Sequence, residues 1–112
     1  MKQVGKFNSK DWGTVLVLAG NYIGPDGPLA IQLVLEDGEP LATLSVNMYA
    51  PECSRDSRNL PPDCFYVKAW SENARIAVDA LASGLFKVRE DLPVALSGFV
   101  SAPAWQLIGA GA

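Results

Sequence analysis

The sequence predicts an α+β domain: a mostly antiparallel sheet with one packed helix, in the order β-β-β-β-α-β-β. Three observations lead there. Leu29, Ile31, Leu33 and Leu35 share one face of a strand, and Ala42, Leu44, Val46 and Met48 share one face of the next, on either side of Asp37-Gly38. Residues 72–83 place apolar side chains at helical spacing behind Ser71. Turn-forming clusters at residues 24–28 and 89–93 cut most of the remaining chain into strand-length pieces.

The hairpin at residues 29–48 organises the rest. Asp-Gly between alternating runs is a strong turn signal, because a type I′ turn needs positive φ at both central residues. A two-residue turn sets Glu36 opposite Glu39, Leu33 opposite Ala42, Ile31 opposite Leu44 and Leu29 opposite Val46. A slip of one residue sets leucines against Thr43 and Ser45, so the apolar pattern selects this register. Pro40 lacks an N–H for a ladder. In this register it pairs with Leu35 without hydrogen bonds and faces solvent.

Ahead of the hairpin, residues 4–7 suit a short edge strand whose lysines discourage pairing with another chain. Phe7 and Trp12 are expected to cover one end of the core. Residues 14–18 are apolar on both faces, which reads as a strand buried on both sides. Gly20 marks a bulge or a close approach of another segment. The cluster at residues 24–28 leads into the strand at Leu29 and completes a three-stranded meander.

Residues 49–63 change character, with three prolines, five charges and no periodicity. They form a long loop, irregular over residues 50–63, and such loops are functional or mobile. In the strand at residues 64–70, Phe65, Val67 and Ala69 share the inner face. Tyr66, Lys68 and Trp70 share an amphipathic face open to solvent. Ser71 is expected to cap the helix, with Ala74, Ala77, Val78, Leu81 and Leu85 inward and Gly84 as the left-handed C-cap. Arg75 and Asp79 are spaced for a weak exposed pair. Residues 86–88 extend briefly, residues 94–100 read as a strand with Gly98 inside it, and residues 103–108 form a last strand with Trp105 and Leu107 on one side. Residues 109–112 are a small-residue tail that frays. The 112 residues make one domain.

Composition narrows the function. Apolar content of 49 % with 19 % charged residues is that of a globular chain. A net charge of −3 gives no support for nonspecific nucleic-acid binding through a basic face. There is no histidine, which removes the commonest general base and metal ligand. Cys53 and Cys64 cannot build a four-ligand zinc site by themselves. They are expected as reduced thiols, a single disulfide between them being the alternative. The longest apolar run, residues 15–19, is too short to span a bilayer, and no signal-peptide pattern follows the first residues. The expectation is a cytoplasmic protein without membrane partner, metal or cofactor.

No catalytic constellation stands out. Glycines at residues 20–27 join strand to strand and so lack the helix start of a phosphate loop. Ser97-Gly98 lacks the flanks of a nucleophile elbow. The chain therefore reads as a non-enzymatic protein-binding module. Its candidate contact set is Arg55, Arg58, Tyr66, Lys68 and Trp70, because Trp, Tyr and Arg anchor interfaces. The same aromatic and basic residues suit a stacking platform, so a nucleic-acid-binding accessory protein is one alternative. A small enzyme using Asp63, Tyr66 or Cys64 is another.

Three segments also carry a likeness. Residues 37–47 (DGEPLATLSVN), 65–73 (FYVKAWSEN) and 97–100 (SGFV) occur in that order. Over roughly residues 29–107 the chain resembles a family of small domains of unknown function found in bacteria, phages and conjugative elements. The loop with its two cysteines departs from that pattern. The resemblance implies no catalytic residues. It implies a mobile-element setting, in which small proteins block host defences such as CRISPR or restriction by binding a protein target.

Overall fold

A computed structural model describes residues 1–24 and 27–108. The turn expected at residues 24–28 is thus described only in part, and the tail at 109–112 lies outside the described residues. The first half of the chain is an antiparallel meander of four strands in sequence order: β1 (Lys2–Ser9), β2 (Gly13–Asn21), β3 (Leu29–Leu35) and β4 (Pro40–Thr43). The expected edge strand is present and longer than its apolar residues suggested. Val15 and Val17 of β2 are fully buried, while Leu16 and Leu18 on the other face are half-buried. Gly20 marks a close approach: a Cβ there would stand 3.1 Å from the Met1 side chain. Trp12 departs from expectation. It sits exposed in the β1–β2 turn, and Phe7 alone joins the core.

The central hairpin keeps its inward set by two compensating irregularities. Gly38 N–H donates to Leu35 O at 2.8 Å and Leu35 N–H to Glu39 O at 2.8 Å. The loop therefore uses Glu36, Asp37 and Gly38, with Gly38 at φ 90 and Asp37 Oδ1 accepting the Glu39 N–H at 2.9 Å. This shifts the register by one, so Pro40 faces Val34 rather than Leu35. A bulge then leaves Leu41 unpaired and restores Leu33 opposite Ala42. Pro40 is exposed at the start of an edge strand, where its missing donor costs nothing.

The predicted pair of Leu29 with Val46 does not form. Leu44 N–H still bonds Ile31 O at 2.9 Å, and beyond it the chain crosses to a second sheet. Buried Ser45 makes the crossing: its hydroxyl accepts the Ile31 N–H at 2.9 Å and meets the Tyr22 hydroxyl at 2.8 Å. A side chain replaces the next rung of the ladder and frees the backbone to leave. β5 (Ser45–Val46) then pairs with β6 (Cys64–Val67). With β7 (Phe86–Val88) and β10 (Ala104–Leu107), the second sheet has the order β5-β6-β10-β7. Residues 94–100 are not one strand. β8 (Ala95–Ser97) and β9 (Val100–Ala102) form a hairpin around Gly98-Phe99, with Gly98 at φ 59 in the first central position that a type II′ turn gives to glycine.

Between the two sheets lies the main core. It takes Ile31, Leu33 and Leu44 from the first hairpin, all fully buried, with Val15, Val17, Phe65, Val67, Phe86 and Trp105. Phe65 meets Phe86 and Trp105 edge-on at ring separations of 5.7 and 6.4 Å. A second, smaller core covers the other face of the second sheet. It joins Met48, Tyr66 and Ala104 to Ala95 and Ala102 of the β8–β9 hairpin, with Leu60, Trp70 and Leu92 packed against it.

The helix α1 (Ala74–Ala82) follows a 3-10 turn at Ser71–Asn73. Ser71 does not cap it. Ser71 sits at φ 56 inside the turn, and no side chain caps either segment. Instead Asn73, buried, donates from Nδ2 to Thr43 O at 2.8 Å and ties the helix start to β4. The helix thereby presents Ile76, Ala77 and Ala80 to the core, and Val78 is 67 % exposed. Arg75 reaches Asp11 at 3.2 Å rather than Asp79, whose carboxylate accepts the Ser9 hydroxyl at 2.8 Å. Gly84 ends the helix at φ 82, as expected. The rotated face gives a direct test by urea unfolding. Ile76→Ala is expected to cost about 2–5 kcal/mol, and Val78→Ala less than about 0.5 kcal/mol.

Candidate interaction surface

The loop between β5 and β6 is irregular, as expected, but it is tied down. Ser57 N–H donates to Met48 O at 2.9 Å, and Met48 N–H donates to Ser57 Oγ at 2.8 Å. Asp56, 4 % exposed, accepts from Ala50 N–H at 3.2 Å and from Arg58 three times: N–H at 2.9 Å, Nε at 2.9 Å and Nη2 at 2.8 Å. The Arg58 guanidinium holds the Asp56 carboxyl well below the usual carboxylate range, with the backbone donors adding to the effect. A 3-10 turn at Ser57–Asn59 is the local consequence. Further along, Ser54 grips the second hairpin. Its N–H donates to Leu96 O at 2.8 Å, and its Oγ accepts the Leu96 N–H at 2.7 Å.

These ties redistribute the five residues singled out in the sequence. Arg58 has a side chain 70 % exposed, yet its guanidinium is committed to Asp56. It borders a cleft of about 300 Å³ that also takes in Pro61, Pro62 and Cys64. Arg55 is exposed on the rim of a separate cleft of about 170 Å³, with Asn59, Leu92, Pro93 and Tyr66. Tyr66 is not on an open face. It is 2 % exposed in the second core, its hydroxyl donates to Pro93 O at 3.3 Å, and burial pushes its phenol up. Trp70 is half-buried against the same core. Lys68 turns to Glu72 at 2.7 Å, and that hydrogen bond holds Glu72 down at about 2. The face that Tyr66 and Trp70 share is therefore covered rather than open to solvent, and Arg55 and Tyr66 border the same cleft.

Two of the three residues weighed for catalysis, Asp63 and Cys64, lie in a different network, and Tyr66 is not part of it. Asp63 Oδ2 accepts Gln106 Nε2 at 2.6 Å, and the Cys64 thiol donates to Asp63 Oδ1 at 3.6 Å. Arg89 Nη1 donates to Cys64 Sγ at 3.6 Å and to Gln106 Oε1 at 3.3 Å, while its other nitrogens grip Asp91. Cys53 and Cys64 are both free. Burial first, then Asp63, push the Cys64 thiol up to about 11, so little thiolate forms near neutral pH. Among the described residues no three His, Cys, Asp or Glu side chains gather as a metal site.

What the sequence reading missed is the tip of the β8–β9 hairpin. Phe99 is fully exposed there, with Leu96 53 % exposed on the adjoining strand and Val94 exposed just before it. The hairpin that carries them is rigidly placed: Ala95 and Ala102 are buried in the second core, and Ser54 holds Leu96. The signal was Ser97-Gly98-Phe99-Val100, a glycine-led turn between two short β-prone pieces. No helix among the described residues is long and apolar enough to cross a membrane. Comparison with family models, with curated proteins and with solved structures returns no match.

Proposed function

We propose that this chain is a non-enzymatic protein-binding module, and that its contact is the apolar β8–β9 hairpin with Arg55 beside it. The observation that carries the reading is Phe99, bare at the tip of a hairpin whose base is packed. Burying such a side chain is worth about 1.5–3 kcal/mol, and apolar groups presented together mark contact sites. Arg55 stands next to Ser54, which bridges to Leu96, and arginine is among the residue types that anchor interfaces. Tyr66 and Trp70 serve the surface from beneath, as its packing support, and Arg58 as the tie that shapes the loop. The likeness to mobile-element domains favours a cytoplasmic protein target in host defence, blocked by occupation in the manner of an anti-CRISPR or anti-restriction inhibitor.

A nucleic-acid role has less support, since Tyr66 is buried, Lys68 is paired and the net charge is −3. The protein-binding reading is tested by capture from the native host followed by mass spectrometry. Phe99→Asp is expected to lose the captured protein at least about tenfold while its unfolding midpoint stays that of the parent. Undiminished capture of the same protein by Phe99→Asp would remove the hairpin from consideration.

A further inference from the structure

We infer that the open edge of β9 takes an extended segment of a partner protein as an added strand, pairing opposite Ser101; this rests on the hairpin being a protein contact. Among the described residues, every other strand edge at a sheet border carries a device that resists pairing. β1 holds Lys2 and Lys6 and is bulged between Gln3 and Gly5. β4 begins with Pro40 and is bulged at Leu41. β5 is two residues long, and its Ser45 hydroxyl bonds back to Ile31. β7 carries exposed Lys87 at its centre. In the second hairpin, residues 94–102 contain no charge and no proline, and the β8–β9 ladder has no register shift.

The phase of that ladder says where its free groups point. Ser97 and Val100 flank the two-residue turn and form its closing hydrogen-bonded pair, so Leu96 and Ser101 are the next, non-bonded pair. The backbone groups of a non-bonded pair point outward, away from the partner strand. On the β8 side they are taken: Leu96 N–H and O both go to Ser54. On the β9 side Ser101 is exposed, and its N–H and C=O have no hydrogen-bond partner among the described residues. An extended chain laid along β9 can exchange two main-chain hydrogen bonds with Ser101, and an apolar side chain on it can cover Phe99. The uncharged edge suits an uncharged, apolar segment.

The probe is a displayed library of random peptides selected against the whole chain. Enrichment of uncharged sequences with alternating apolar residues is expected. A synthetic peptide of the winning sequence should bind Ser101→Ala like the parent. It should bind Ser101→Pro about tenfold more weakly, because that variant lacks the outward N–H yet keeps the β8–β9 ladder. Independently of any folding defect in the variant, the peptide methylated at the amide that faces Ser101 should lose binding, while methylation one residue along should not. No enrichment, or equal binding by Ser101→Pro and by both methylated peptides, overturns the proposal. So does a dimer in sedimentation that Ser101→Pro dissolves, which would seat a second copy on the edge. If host capture is lost in Phe99→Asp but kept in Ser101→Pro, the hairpin contact stands and the added strand falls.

Discussion

Tyr66→Ala is expected to lower the free energy of unfolding by about 3–5 kcal/mol, the usual loss when a buried aromatic is truncated. Tyr66 is 2 % exposed and is the largest side chain of the second core. That core is what holds the loop and the β8–β9 hairpin against the second sheet. The loss should therefore be felt there first, as faster amide hydrogen exchange at residues 95–102 under native conditions. Tyr66→Phe keeps the ring and removes only the hydroxyl bonded to Pro93 O. It is expected to cost about 1 kcal/mol. A Tyr66→Ala loss below about 0.5 kcal/mol, the range of surface substitutions, would mean that the ring faces solvent.

Asp56→Ala is expected to be the most damaging removal of a single charge. It deprives Ala50 and Arg58 of the acceptor that shapes the loop, and the Arg58 side chain loses both of its hydrogen bonds. The effect has a pH signature. The folded-state carboxyl lies below its ordinary value of 3.8, so the unfolded chain takes up this proton at a higher pH than the folded one does. The stabilisation is therefore complete above the ordinary carboxylate range and is lost as pH falls below about 4. In thermal unfolding across the acid range, the parent should lose stability with falling pH more steeply than Asp56→Ala, and the two curves should converge. Parallel curves would show that the carboxylate contributes nothing specific. Arg58→Lys should behave as a partial Asp56 variant, because an ammonium cannot reproduce the two-point guanidinium contact.

Much of the first sheet was legible because alternation and turn chemistry are local. Leu33 meets Ala42 and Ile31 meets Leu44, as the register arithmetic required. The same alternation ran on through Val46 and Met48, so nothing in it announced that the strand leaves one sheet for another at Ser45. Alternation also told that Tyr66, Lys68 and Trp70 share a face, but not that the face is covered. Its cover comes from the loop and from residues 94–102, each remote from β6 in sequence or structure type. The helix was placed correctly and rotated wrongly. Ile76 and Val78 are both apolar, and the deciding tie, Asn73 to Thr43 O, is a long-range hydrogen bond. Asp56 left only a faint mark, an Asp two residues before an Arg in a stretch without period. Arg55 and the hairpin tip were both readable, the first from its type and the second from Gly98, yet only the fold brings the loop to the hairpin.

Amide hydrogen exchange of the isotopically labelled chain, alone and saturated with its captured target, reads the contact directly. New protection concentrated between Leu96 and Ser101, with Lys68 and its surroundings unchanged, is the footprint expected. Protection at β1 or around Lys68, with the Gly98-Phe99 tip exchanging as fast bound as free, would contradict it.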